Sequence, residues 1–319
     1  MREHDSLYSW TRLFIALLLA TVGNIGMWVV VIVLPDIQQE FKIDRGTASI
    51  PFALTMVGFA IGNWVMGHVV DRYGITKTII LAAMVNTAGY FAVMHVNNVY
   101  LLSILQFFIG LGTAAAFGPL IADTSHWFLK RRGIAVALIA SGNYFSGAIW
   151  PPLFNSTLQS DGWRDVYWIL ALSTVFIMIP LSFLLTKKIS EETARISDAA
   201  SSDKRQNVSI TPKALTILLS IAGIGCCVAM SMPQVHIVAF CIDLGFGPAV
   251  GAEMLSLMLI GGIISRLING LIADKLGGVY TLLIGSTLQC IALFLYLPFD
   301  GLVSLYIVSL VFGPSQGGI

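Results

Sequence analysis

Charged residues are missing from long stretches of this chain and crowd into the gaps between them. None occurs in residues 13–35, 46–70 or 78–122, and further uncharged runs cover 133–160, 166–186, 214–242 and 276–299. Within these runs apolar positions do not alternate with polar ones, so they lack the period-two signature of a membrane barrel strand. A bilayer core about 30 Å thick is crossed by roughly 20 helical residues at about 1.5 Å each. Lipid offers no partner for a bare peptide group, so an apolar run of that length must satisfy its own backbone as a helix. The pattern predicts ten spans, at about 11–35, 48–70, 76–96, 99–122, 132–156, 165–186, 213–241, 249–273, 278–298 and 301–319. The predicted class is an all-α polytopic membrane protein embedded in a lipid bilayer.

Composition agrees: 56% of the 319 residues are hydrophobic, 11% are charged, and the mean hydropathy is +0.84. A soluble domain carries about 25% charged residues. The first apolar run is longer than the core of a cleavable signal peptide, so it reads as a first span. The four cysteines (Cys226, Cys227, Cys241, Cys290) all lie in apolar runs and read as small hydrophobes. Trp163 and Trp168 read as interfacial belt residues. The net charge of +1 points to no nucleic-acid partner.

Basic residues set the expected orientation. Of the 18 Lys and Arg, only Lys42, Arg45 and Arg164 fall on one side, Arg266 lies inside a span, and all the others share the opposite side. The positive-inside bias places the N-terminus in the cytoplasm. The longest polar segment, 187–212, reads as a flexible cytoplasmic linker between six spans (1–186) and four (213–319).

An internal repeat crosses that linker. Gly67-His68-Val69-Val70-Asp71-Arg72-Tyr73-Gly74 and Gly270-Leu271-Ile272-Ala273-Asp274-Lys275-Leu276-Gly277 share the pattern G-x-x-x-D-[RK]-x-G at an offset of 203 residues. Each copy ends an even-numbered span on the basic side. Glycine permits a tight turn and close backbone approach. The carboxylate is expected to face a neighbouring helix end or an arginine, as a charge latch that breaks when that side opens. Asp71, Arg72, Asp274 and Lys275 are therefore candidate gating residues, and Asp123, at the end of the fourth span beside His126 and Lys130, Arg131 and Arg132, is a candidate member of a further gating salt-bridge network that includes Arg131.

These residues resemble the major facilitator superfamily, whose loop between helices 2 and 3 carries G-x-x-x-D-R-x-G-R-[KR]. The resemblance implies two pseudo-symmetric six-helix bundles. Ten of twelve helices are present; the offset would end a full second half near residue 390, so a C-terminally incomplete chain is expected. Three stretches resemble the monocarboxylate transporter and oxalate/formate antiporter branch more closely. They are His126-Trp127-Phe128 with Lys130-Arg131-Arg132-Gly133, the run Ser141-Gly142-Asn143-Tyr144-Phe145-Ser146-Gly147 with Pro151-Pro152, and Arg266-x-x-x-Gly270-x-x-x-Asp274. The sequence departs from animal carriers of that branch at Asp36, where they have Lys, and at Gly262, where they have Asp. A relative of bacterial type in a cytoplasmic (inner) membrane is implied.

Arg266 is the sharpest chemical candidate. It lies eight residues before Asp274, roughly 12 Å along the helix. An arginine at mid-bilayer costs about 2.5–3.5 kcal/mol on insertion scales, which implies a cavity, a partner or an anionic ligand. Its planar fork stays charged and suits a carboxylate. His236, three residues after the helix-bending Pro233, could exchange protons near neutral pH. Asn143 and Tyr144 are candidate cavity-lining groups, and Asn63 occupies the repeat position of Arg266. Asp36, at the end of the first span, is a candidate proton-coupling acid. The expected ligand is a small organic anion, with a co-transported proton possible, moved by symport or exchange through a monomer. No phosphate-cradling loop, metal-spaced cluster or catalytic set is present in the sequence, so neither an enzyme nor a cofactor is expected. Two alternatives stay open: a non-transporting sensor or assembly partner, and a carrier of a neutral solute in which Arg266 is structural.

Overall fold

A computed structural model describes residues 4–190, 195, 210–298 and 300–316. Most of the predicted linker 187–212 lies outside the described residues. Eight helices are long and apolar enough to cross a membrane. They are helix 1 (Leu7–Ile32), helix 2 (Arg45–Tyr73), helix 3 (Ile75–Val93), helix 4 (Val99–His126), helix 5 (Arg132–Phe154), helix 6 (Trp163–Phe183), helix 7 (Lys213–Val238) and helix 8 (Val250–Leu276). Helix 9 (Gly278–Phe294) and helix 10 (Leu302–Ser315) are shorter and equally apolar. Large apolar side chains project from the outer faces: Trp64 is 70% exposed, Phe176 71% and Ile224 66%. Water would penalise such a surface and lipid does not, so the protein is an integral, multi-pass membrane protein.

The helices start where local chemistry stops the preceding turn. Asp44 caps helix 2 by accepting from the Thr47 N–H at 2.9 Å, and Asn98 caps helix 4 by accepting from Tyr100 at 2.8 Å. Helix 1 is interrupted at Asn24, and the short helix Leu34–Phe41 follows it. Helix 5 is interrupted at Ser141, between Arg132–Ala140 and Gly142–Ser160. A π-helical turn, Thr174–Met178, interrupts helix 6 just before Pro180.

The structure extends the repeat well beyond the octapeptide. Helix 2 as Arg45–Tyr73 and the longer form of helix 8, Pro248–Leu276, begin and end at the same offset, and helices 3 and 4 begin at that offset from helices 9 and 10. Gly74 and Gly277 adopt one conformation, φ +81° and +87° with ψ 164°, open to glycine and strained for other residues. Each N–H closes its helix, on Val70 O at 2.8 Å and on Ala273 O at 3.0 Å. Each carbonyl then accepts from a hydroxyl in the next helix, Thr78 and Thr281, at 2.9 Å in both. The close packing repeats too. A side chain on Gly58 or Gly110 would strike backbone between helices 2 and 4; one on Gly261 or Gly313 would strike backbone between helices 8 and 10.

The chain forms two compact units. One comprises residues 5–127 and 145–188: helices 1–4, the C-terminal part of helix 5 and helix 6. Ile25, Val29, Ile109, Trp150, Phe154 and Tyr167 lie in its core. Trp163, expected in the interfacial belt, is instead 4% exposed, because its indole N–H donates to Glu40 at 2.7 Å and its ring packs on Tyr167. The other unit comprises residues 128–144, which include the N-terminal part of helix 5, and helices 7–10, with Ile237, Met254, Met258, Ala292, Leu305 and Phe312 in its core. The N-terminal part of helix 5 thus packs on helix 8.

Candidate functional site

Helix 8 carries Arg266 one turn above Gly270 and two above Asp274. Helices 5 and 8 meet backbone to backbone at glycines. A Cβ on Gly270 would lie 2.6 Å from Ala137 Cβ, and one on Gly133 would lie 2.6 Å from Gly270 O. Two side chains of helix 8 engage helix 5 on either side of this contact. The Asp274 carboxylate accepts from the Gly133 N–H at 2.7 Å and from the Ile134 N–H at 3.1 Å, capping the start of helix 5. These are donors that a helix start cannot satisfy by itself. The Arg266 Nη1 donates to the Ala140 carbonyl, the last residue before the interruption at Ser141.

Tyr144 completes the arrangement. Its ring faces the Arg266 guanidinium at 4.2 Å, and its hydroxyl donates to Met230 Sδ of helix 7 at 3.2 Å. The ring is fully buried and lies over Gly262, where an added Cβ would come within 3.1 Å of it. The position that carries an acid in animal carriers of the resembled branch is therefore covered here by an aromatic face. No carboxylate pairs with Arg266 among the described residues. A cation held by a π face and one carbonyl keeps N–H donors available for a carboxylate. Asn143, buried beside Tyr144 in the chain, belongs to the same turn of helix 5.

His236 stands elsewhere. It lines a cavity of about 460 Å³ with Pro233 and Phe240 of helix 7 and Cys290, Leu293 and Phe294 of helix 9. Met230, which touches Tyr144, is six residues away, about 240° around the helix. The two residues thus occupy different faces. Met230 was missed from sequence because a methionine in an apolar run carries no local mark of function.

The candidate gating residues divide. Asp274 is engaged as described, and Lys275 is exposed beside it. Asp71 and Arg72 are exposed; the Arg72 guanidinium lies 5.4 Å from the Tyr73 ring. Gly67 has nothing within 4 Å of an added Cβ, unlike its counterpart Gly270. Asp123 pairs with Arg12 of helix 1, with Nη2 at 2.9 Å. Arg12 is 3% exposed, also donates to the Leu185 and Lys187 carbonyls, and lies 4.7 Å from the Trp127 ring. Asn63, the repeat counterpart of Arg266, donates to Phe59 O within its own helix.

On the opposite side, Glu40 accepts from Arg164 at 2.8 Å and from Trp163, and these hydrogen bonds hold its carboxyl below the usual range. Burial raises the Asp36 carboxyl above its usual value. The described residues contain no group of three or more metal-ligating side chains.

A membrane chain of paired helix hairpins, built twice at one offset with a half-buried arginine in a span of the second copy, defines a polytopic membrane fold of two related halves. The chain matches the Major Facilitator Superfamily over residues 14–319 and belongs to it. That family comprises membrane transport proteins and not enzymes. It is 24% identical to the agnestins efflux protein AgnL12 of Paecilomyces divaricatus, over 88% of this chain and 64% of that protein. It is also 24% identical to monocarboxylate transporter 13 of Rattus norvegicus, over 95% of this chain and 69% of that one. The chain thus spans about two thirds of the length of these relatives. A crystal structure of a double-tryptophan XylE mutant shares the fold, with a TM-score of 0.69, 15% identity, and coverage of 98% of this chain and 81% of that one.

Proposed function

We propose that the protein is a secondary carrier of small organic anions of monocarboxylate type, working by alternating access, with Arg266 as the anion anchor. The observation that carries this reading is a permanently charged guanidinium within a membrane span that has an aromatic face and a backbone carbonyl, and no acid among the described residues, as its partners. Neutralisation by a substrate carboxylate would lower the cost of moving that charge through the transport cycle. Tyr144, whose ring faces the guanidinium, and its chain neighbour Asn143 are the substrate-contact candidates in this reading. The turns at Asp71/Arg72 and Asp274/Lys275 act as gates in this reading, with the N-terminus in the cytoplasm, and the likeness to monocarboxylate transporter 13 supports the substrate class. Proton symport and anion exchange are both compatible with it. The hydrogen bond to Ala140 favours a second reading, a structural Arg266 in a carrier of neutral solutes.

Uptake of labelled pyruvate, lactate, formate and oxalate into proteoliposomes tests the proposal. Arg266→Ala should lower anion uptake at least tenfold while the purified protein stays monodisperse. Uptake equal to the parent protein would reject the anchor. Counterflow separates a carrier from a sensor, because a sensor binds without exchanging.

A further inference from the structure

We infer that Arg266 and Asp274 are the two ends of one clamp on the N-terminal part of helix 5, and that an anion arriving at Arg266 releases it by displacing the Ala140 carbonyl. The release step rests on the anion reading of Arg266; the clamp itself does not.

The clamped segment, Arg132–Ala140, is a separate nine-residue helix because the backbone is interrupted at Ser141. A helix carries partial positive charge at its start and partial negative charge at its end. Helix 8 presents the matching opposite at each end: the Asp274 carboxylate on the Gly133 and Ile134 N–H groups, and the Arg266 guanidinium on the Ala140 carbonyl. The dimensions fit. Residues 266 to 274 span roughly 12 Å and residues 133 to 140 roughly 10 Å at helical rise. Between the two ends Gly133 and Gly270 let the backbones touch, so the helices are drawn together along the whole segment.

The two ends differ in one respect. Asp274 holds N–H groups for which an incoming organic anion offers no replacement. Arg266 holds a neutral carbonyl, a weaker acceptor than a carboxylate, whose bonds to a guanidinium are charge-assisted and can be bidentate. A bound carboxylate therefore takes the fork from Ala140. The carbonyl at the interruption is left without its side-chain donor, and only the Asp274 end still holds the segment. Binding then loosens the helix 5–helix 8 contact at residues more than a turn away from the ligand. The ring of Tyr144, which faces the same guanidinium, keeps Arg266 in place during the exchange of acceptors.

Hydrogen–deuterium exchange on the whole protein in lipid nanodiscs tests this, read on peptides covering 132–144. Without ligand, Arg266→Gln should speed exchange of 132–140 by roughly 3- to 30-fold, the range expected for losing one helix cap. Asp274→Asn should do the same, with helices 2–4 unchanged as a control for folding. Arg266→Lys keeps a cation on the carbonyl and should retain parental protection. Parental exchange in both Arg266→Gln and Asp274→Asn would overturn the clamp. Pyruvate added to the parent protein should speed exchange of the same segment while raising the melting temperature. A raised melting temperature with unchanged or slower exchange would overturn the displacement step. Absence of any melting shift with pyruvate, lactate or oxalate would overturn the anion reading and the displacement step together, and the ligand-free arms would still decide the clamp.

Discussion

At the scale of single residues, buried charge costs most where its partner is removed. Arg12 is 3% exposed and Asp123 20%, and they share three guanidinium–carboxylate hydrogen bonds. Removing one member of such a pair leaves an uncompensated charge, typically at 3–5 kcal/mol. Arg12→Met should therefore lower the melting temperature in detergent sharply, whereas Arg12→Met with Asp123→Leu should recover part of the loss. Equal melting of the single and double variants would contradict this. Tyr144 separates into two contributions in the same way. Tyr144→Phe gives up only a hydroxyl bond to a thioether, a weak acceptor, and should cost under about 1 kcal/mol. Tyr144→Ala empties a fully buried site and should cost about 3–5 kcal/mol, read by the same melts.

At the scale of elements, the repeat predicts the backbone better than the contacts. Its two octapeptides share helix ends, a positive-φ glycine and a threonine bond to it. Their leading glycines nonetheless live in different surroundings. Gly67 faces open space, so Gly67→Ala should be neutral or raise stability by up to about 1 kcal/mol through lower chain entropy and better helix propensity. Gly270→Ala would force a methyl against Ala137 and Gly133 O, and should cost about 1–3 kcal/mol. Thermal melts of the two variants, side by side, check the contrast. The reason is that the octapeptide encodes a turn, while what packs on the turn comes from helix 5, far away in sequence. The same distance hid the partner of Asp123: its neighbours at 130–132 were visible locally, and Arg12 was not.

At the scale of the whole molecule, lipid is the solvent for the spans and water only for their ends, so titration acts at the ends. Glu40 joins the short helix Leu34–Phe41 to the start of helix 6 through Trp163 and Arg164, and Arg164 in turn donates to the Met94 and Val96 carbonyls. Hydrogen bonds from Arg164 lower the folded carboxyl below its ordinary 4.5. A depressed folded value means that the bond stabilises above the unfolded value and is lost as pH falls through the folded one. The pair is partly exposed, so the effect is under about 1 kcal/mol and shrinks with salt. The parent protein should thus lose a small increment of melting temperature between about pH 5 and pH 3 that Glu40→Gln lacks.

What the sequence determined by itself was the kind of element, apolar membrane-length helices, together with the repeat and the cation inside a span. Each follows from local chemistry: an uncharged run of sufficient length must be helical in lipid, and a glycine after a helix end must turn. Arg266 was legible for the same reason, since a charge inside such a run is costly wherever it points. What only the tertiary structure decided was the company these residues keep. Arg266 lies against Tyr144 and Ala140, Asp274 caps helix 5, Arg12 meets Asp123, and His236 turns to the cavity beside helix 9. In lipid no hydrophobic pattern distinguishes a helix face that packs on protein from one that faces acyl chains, because both are equally apolar. Close packing of glycines and small residues makes that choice, and it is a property of two segments at once.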